Sequence, residues 1–235
     1  MRILGIETAL GFSEVALLDE SVGGAPWTLA DGDLYSENVI RLIRALLASN
    51  AVSLESLDAI AVSIGPGSFT GLRIGLSVAK GLAVSTNRPL VGVSTLDGLA
   101  GSAIYGGIVE AGEEFLAVVD AKRGDYYCAP YKSAGGTVLR TGDLRVMTLS
   151  GIMSAVPSNR QLLLAGNGRS RLEEQLSGVE TPARSAIRVI EKSDAISPAA
   201  AVAILGLQKA QRQDFADIAS LEPLYLKDFV IRSVN

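Results

Sequence analysis

The chain opens with RILGIETALGFSEVALLDE, an apolar strand closed by an acidic residue, a turn over residues 8–12, and a returning strand. A second unit of the same kind, FLAVVDAKRGDYYCAPY, runs from 115 to 131. In both, three residues separate the acid that ends the first strand from a glycine, pairing Glu7 with Gly11 and Asp120 with Gly124. A hairpin repeated at so long a separation predicts a duplicated α/β unit, each copy beginning strand, acid, turn, strand. Two such lobes face each other across a cleft. Gly106-Gly107 marks their boundary, which gives lobes of residues 1–105 and 106–235, with the C-terminal segment able to pack back on the first lobe. At 235 residues and 48% apolar content the chain has enough material to bury a substantial core in this arrangement.

Within the first lobe, residues 63–84 read SIGPGSFTGLRIGLSVAKGLAV. Gly65, Pro66, Gly67 and Gly71 permit a tight backbone path, and Ser68 and Thr70 set hydroxyls at the mouth of a helix. That helix carries charge only at Arg73 and Lys80, which share a face, so protein must cover most of its circumference, either this chain's own core or a partner. Gly71, Gly75, Ala79 and Ala83 make an i, i+4 stripe of small residues that admits another backbone at close range. The common nucleotide and nucleophile templates fail here. A Walker A loop needs lysine where Leu72 stands, a nucleophile elbow needs glycine where Pro66 stands, and the dinucleotide fingerprint needs glycine at Thr70.

Ser36 is placed to cap a helix over 37–49 whose apolar residues Val39, Leu42, Ile43, Leu46 and Leu47 fall on one face, with Arg41 and Arg44 pointing outward. Strands are expected over 59–64 and 89–93, and a helix capped by Ser94, Thr95 or Asp97 runs to residue 104. In the second half, a short strand at 162–165 leads into Gly166, Asn167 and Gly168 and a helix over 170–176. Ser197-Pro198 opens a helix over 199–211. The tail from 222 has no strong periodicity, but Pro223, Tyr225 and Leu226 can anchor it.

The hairpins and glycine loops nominate Glu7, Thr8, Gly11, Gly67, Ser68, Thr70, Asp120 and Arg123 as nucleotide or cleft residues. The competing reading, favoured at Glu7, makes the acids turn residues or hydrogen-bond acceptors, with Asp120 and Arg123 pairing on their own hairpin. Formal charge is −4 with the basic residues scattered, which disfavours direct, tight binding of nucleic acid. The chain has no histidine, so Ser-His and Cys-His pairs and His-based zinc sites are excluded within it. Its single cysteine, Cys128, excludes an internal disulfide and reads as a buried thiol. The first apolar run stops at Glu7 and no stretch approaches a membrane span, so a cytoplasmic location is expected.

The segment GPGSFTGLRIG, taken with IETA, GVSTL, VVDAKRGDYY and EPLYLKD in that family's order, resembles the TsaB (YeaZ) family over the whole chain. The resemblance implies an α/β actin-like ATPase (ribonuclease H-like) fold of two related lobes with mixed sheets flanked by helices. It also implies a non-catalytic partner of a TsaD-like subunit in N6-threonylcarbamoylation of adenosine 37 in ANN-decoding tRNAs, joined by a TsaE-like ATPase. The catalytic relative holds its metal through a histidine pair that this chain does not have. Further implications are a homodimer when the chain is alone, contact with tRNA only through the complex, and no required cofactor, with ATP or ADP at the partner interface. The partner surface so implied lies on the helices over 37–49 and 73–84, at Val39, Leu42, Ile43, Leu46, Arg73, Ile74, Gly75, Ser77, Val78 and Ala79. Two other readings of such a chain are an actin-like kinase or ATPase and a glycoprotease-type metallopeptidase, the latter opposed by the missing histidines.

Overall fold

The computed structural model describes residues 1–33, 35–155, 162–165, 174, 187–189 and 196–226. The expected loop Gly166 to Gly168, most of the helix over 170–176 and the tail beyond 226 lie outside the described residues.

Two mixed sheets form the frame. The first contains β1 (Arg2–Glu7), β2 (Ser13–Asp19), β3 (Trp27–Asp31), β4 (Ala59–Gly65) and β5 (Leu90–Ser94), in the order β3-β2-β1-β4-β5. The second contains β6 (Glu114–Asp120), β7 (Asp125–Ala134), β8 (Thr137–Arg140), β9 (Arg145–Thr148), β10 (Leu162–Ala165) and β11 (Ile187–Val189). Its order is β11-β10-β6-β7-β8, with β9 also on β7. In each sheet the opening hairpin is antiparallel and its first strand then pairs in parallel on the other side, β1 with β4 and β6 with β10. Both hairpins turn through a left-handed glycine, Gly11 at φ +90° and Gly124 at φ +92°. The duplication read in the sequence is thus a duplication of topology.

Helices α1 (Ser36–Ser49) and α2 (Phe69–Thr86) cover one face of the first sheet. β1 and β2 are buried on both faces, which is why they read as nearly continuous apolar runs. Their opposite face is covered by the last helix, α5 (Pro198–Gln211), which crosses so closely that a Cβ on Gly5 would lie 2.5 Å from the Ala199 carbonyl oxygen. α3 (Thr95–Tyr105) lies beside α5 and turns Leu96, Leu99, Ala100 and Ala103 onto Phe115, Ala117 and Val119 of the second sheet, so it joins the lobes. A short helix, α4 (Leu149–Ala155), packs Ile152 against the outer face of the second sheet. Cys128 is buried there, and burial pushes its thiol up to about 12.

Three helix starts differ from expectation. α1 begins at Ser36 with Tyr35 in the cap position and no side-chain cap, α3 takes Ser94 as cap without a side-chain bond, and α2 begins at Phe69, one turn before Arg73. α5 is capped as the sequence implies: Ser197 Oγ accepts the Ala200 N–H at 3.1 Å, and Glu14 Oε2 accepts the Ala199 N–H at 3.0 Å from β2. Replacing Ser197 with alanine should cost about 1 kcal/mol. That corresponds to a fall of about 2–4 °C in a thermal melt of a chain this size. An unchanged melt would mean that Glu14 alone suffices at this helix end.

Candidate functional site

The glycine segment is first a packing surface. A Cβ on Gly67 would lie 2.5 Å from the Ala9 carbonyl oxygen, one on Gly71 2.0 Å from the Thr8 carbonyl oxygen, and one on Gly75 2.2 Å from Thr8 Oγ1. Only glycine lets α2 cross the β1–β2 turn at this distance. Hydrogen bonds hold the crossing: Ser68 N–H donates to the Ala9 carbonyl at 2.7 Å, and Thr8 Oγ1 donates to the Gly71 carbonyl at 2.7 Å. Ser68 Oγ accepts the Gly71 N–H at 3.2 Å and so caps α2. The segments IETA and GPGSFTGLRIG are two halves of one contact.

This geometry corrects most of the partner surface drawn from resemblance. Val39, Leu42, Ile43 and Leu46 on α1, and Gly75, Val78 and Ala79 on α2, are buried within the chain's own first lobe. Their apolar face satisfies the sheet beneath them, leaving nothing of it for a partner. Ile74 is half-buried against the same core. Among the residues the two helices present outward are Arg73, Ser77 and Val84 on α2 and Ile40, Arg41 and Arg44 on α1.

A C-terminal strap, residues 216–226, runs over that outer side of α2. It starts where the Ala216 N–H donates to the Leu90 carbonyl at 2.8 Å and is fixed again where the Leu224 N–H donates to the Ile64 carbonyl at 2.7 Å. Lys80 Nζ donates to the Ala219 carbonyl at 3.3 Å. Arg73 lies 3.9 Å over the Phe69 ring and donates through Nε to Tyr225 Oη at 3.3 Å, while the Phe69 and Tyr225 rings stand 5.4 Å apart. The two cations that interrupt the apolar circumference of α2 are therefore strap contacts. Between α2 and the strap runs a groove of about 350 Å³ that Arg73, Ser77, Lys80, Glu222 and Tyr225 help line.

The cleft residues are not gathered into a ligand cradle. Gly11 and Thr70 are exposed, Gly67 and Ser68 are used in the α2 crossing, and Thr8 is fully buried beneath it. Between the hairpins, Leu10 and Phe12 from the first join Val119, Ala121 and Tyr127 from the second, with Leu226 of the strap, in one apolar cluster. Asp120 does not pair with Arg123. Its carboxylate accepts the Lys122 N–H at 2.8 Å and pairs with Lys122 Nζ at 3.2 Å, because the turn runs left-handed through Lys122 and Arg123 and brings the lysine back over the acid. Arg123 is exposed.

Glu7 is fully buried, and its Oε1 accepts the Ala9 N–H at 2.5 Å. Its Oε2 has no hydrogen-bond partner, nor does the buried Ser63 hydroxyl that faces it from β4. Burial pushes the Glu7 carboxyl up to about 7, against the opposing pull of Ser63 and the Ala9 N–H. Glu14 and Ser63 carry this environment, and no sequence motif marks either one. A weaker signal does exist, since each is a polar residue inside an otherwise apolar strand, SEVALLD and AIAVSIG. Among the described residues no three His, Cys, Asp or Glu side chains gather to hold a metal, and no helix is long and apolar enough to cross a membrane.

Comparison with known proteins agrees with this architecture. The family model of TsaD, tRNA N6-adenosine threonylcarbamoyltransferase, matches residues 23–228. A relative from Escherichia coli, the tRNA threonylcarbamoyladenosine biosynthesis protein TsaB, is 36% identical over 132 residues, 56% of this chain and 55% of that protein. The chain thus spans about half the length of that relative. YeaZ from Pseudomonas aeruginosa superposes with a TM-score of 0.77 at 27% identity, covering 96% of this chain and 99% of that one. A ROK hexokinase from Thermus thermophilus shares the fold at a TM-score of 0.51 and 12% identity, covering 90% of this chain and 100% of that one. The fold is therefore actin-like.

Proposed function

The chain belongs to the TsaD family, on its TsaB (YeaZ) side, and from that membership we propose that it is a non-catalytic subunit in N6-threonylcarbamoylation of adenosine 37 of ANN-decoding tRNAs. Its partners in this reading are a TsaD-like catalytic subunit and a TsaE-like ATPase, and it reaches tRNA only through them, in the cytoplasm. One observation carries the proposal. The turn that would have to meet a phosphate in an actin-like kinase is roofed by α2, with the Thr8 hydroxyl given to the Gly71 carbonyl and apolar side chains packed between the two hairpins.

A chain built this way acts through its surface. The surface we propose is the outer side of α1 and α2, where Arg73 and Ser77 stand beside the strap and Ile40 is 41% exposed. The same side serves self-association when the partner is absent, and ATP or ADP belongs at that interface in the complex. The metallopeptidase reading lacks its chemistry, since no histidine exists anywhere in the sequence to hold zinc.

Light-scattering size-exclusion chromatography tests this directly, using the chain alone, with a TsaD-like subunit, and with both TsaD-like and TsaE-like subunits and ATP. A 1:1 complex that replaces any homodimer, with no magnesium-dependent ATP hydrolysis by the chain alone, is the expected result. Turnover of ATP by the purified chain without partners would reinstate the kinase reading.

A further inference from the structure

We propose that Glu7 is a proton-binding switch: the folded protein holds a proton on this carboxyl, and releasing it loosens the β1–β2 turn from α2 and the N-terminus of α5. The geometry is independent of any partner. Glu7 and Glu14 are direct cross-strand partners, so both side chains leave the same face of the first sheet, and both are buried. Two carboxylates so placed cannot both ionise without mutual repulsion.

Their surroundings decide which one keeps its charge. Glu14 accepts a hydrogen bond from the Ala199 N–H in the first turn of α5, a position that favours an anion. Glu7 accepts the Ala9 N–H on Oε1, and Ser63 and the Leu10 N–H also pull it toward the charged form, but its complete burial outweighs all three. The Ser63 hydroxyl can serve either form, accepting from the acid or donating to the carboxylate, and it pulls toward the charged form, so burial and the neighbouring Glu14 are what keep the proton on Glu7.

Among the described residues of the elements packed against Glu7, no positive side chain faces its carboxyl. α5 has no acidic residue in its first turn and no basic one before Lys209. α2 meets the turn through glycines. From α3, the buried Thr95 is neutral and Asp97 is bonded to Tyr131 Oη at 2.6 Å. Glu14 is thus the charge that Glu7 confronts, and burial and Glu14 together hold the proton on Glu7 up to about pH 7.

The coupling follows from what each acid grips. Glu7 fixes the Ala9 amide, Ala9 and Thr8 are the residues α2 crosses, and Glu14 fixes the start of α5. Ionising Glu7 sets the two acids against each other across this junction, and the turn and the first turn of α5 must separate to relieve it.

Nuclear magnetic resonance on the full labelled chain tests this between pH 5.5 and 8.5. The Glu7 side-chain carboxyl carbon should titrate with a midpoint near 7, and the Ala9, Gly71 and Ala199 amides should shift with the same midpoint. In Glu7→Gln the three amides should stay flat, and in Glu14→Gln the Glu7 midpoint should fall. Glu7 titrating below 5.5, or Gly71 and Ala199 titrating in Glu7→Gln as they do in the wild type, would overturn the proposal. The wild-type carboxyl measurement decides even where a variant fails to fold.

Discussion

A Gly71→Ala variant is expected to melt about 4–8 °C below the wild type, which for a chain of this size corresponds to a loss of about 2 kcal/mol. The new Cβ would stand 2.0 Å from the Thr8 carbonyl oxygen. Both atoms are fixed to backbone, so no rotamer change relieves the overlap, and α2 must withdraw from the turn. Withdrawal also breaks the bond from Thr8 Oγ1 to the Gly71 carbonyl, which contributes about 1 kcal/mol. The overpacking itself costs about 1–3 kcal/mol. Alanine's better helix propensity returns about 1 kcal/mol of this. Gly81 supplies the control on the same helix. It is exposed, nothing lies within 4 Å of a Cβ there, and Gly81→Ala should therefore hold or raise the melting temperature. If both variants melt like the wild type, the glycine stripe is not an intramolecular crossing, and a partner surface regains its claim on it.

The second large effect depends on pH. The Glu7 carboxyl is raised from 4.5 to about 7 by burial, so the folded state binds its proton more tightly than the unfolded state does. Stability from this group is fully present below pH 4.5 and is lost as pH rises through 7. The loss amounts to about 3 kcal/mol, because each tenfold difference in proton affinity between the two states is worth about 1.4 kcal/mol. Glu7→Gln removes the ionisation while keeping the shape of the neutral acid, and its amide can donate to Ser63. It should match the wild type in urea unfolding at pH 5 and exceed it by roughly 3 kcal/mol at pH 8.5. A variant less stable than the wild type at pH 8.5 would mean that the ionised carboxylate is welcome in this site, contrary to its unpartnered oxygen.

Much of the architecture is legible in the sequence because it rests on local patterns. The hairpins show as a succession of acid, turn and glycine, and the structure keeps both, with Gly11 and Gly124 at the positive φ their turns require. The helix after Ser197-Pro198 shows through its cap and its proline. The covered circumference of α2 shows through its lack of charge. The failures are equally specific. Ser36 has the residue type of a cap, yet the chain enters α1 one residue earlier, at Tyr35. Charge alone matches Asp120 with Arg123, whereas the left-handed turn selects Lys122.

Local patterns in the chain suffice to reveal a duplicated α/β unit, a glycine segment that admits a backbone at close range, and the lack of imidazole chemistry. What comes close depends on the folded arrangement. Periodicity reports that a helix face is covered and is silent about what covers it, because the partner of Gly71 is Thr8, 63 residues away. The same holds for α5, whose Ala199 meets Glu14 across 185 residues, and for the strap, whose Tyr225 reaches Arg73 across 152. Each of these contacts depends on where the sheets bring distant segments, and so does the proton on Glu7, whose environment is assembled from β1, β2, β4 and the end of α5.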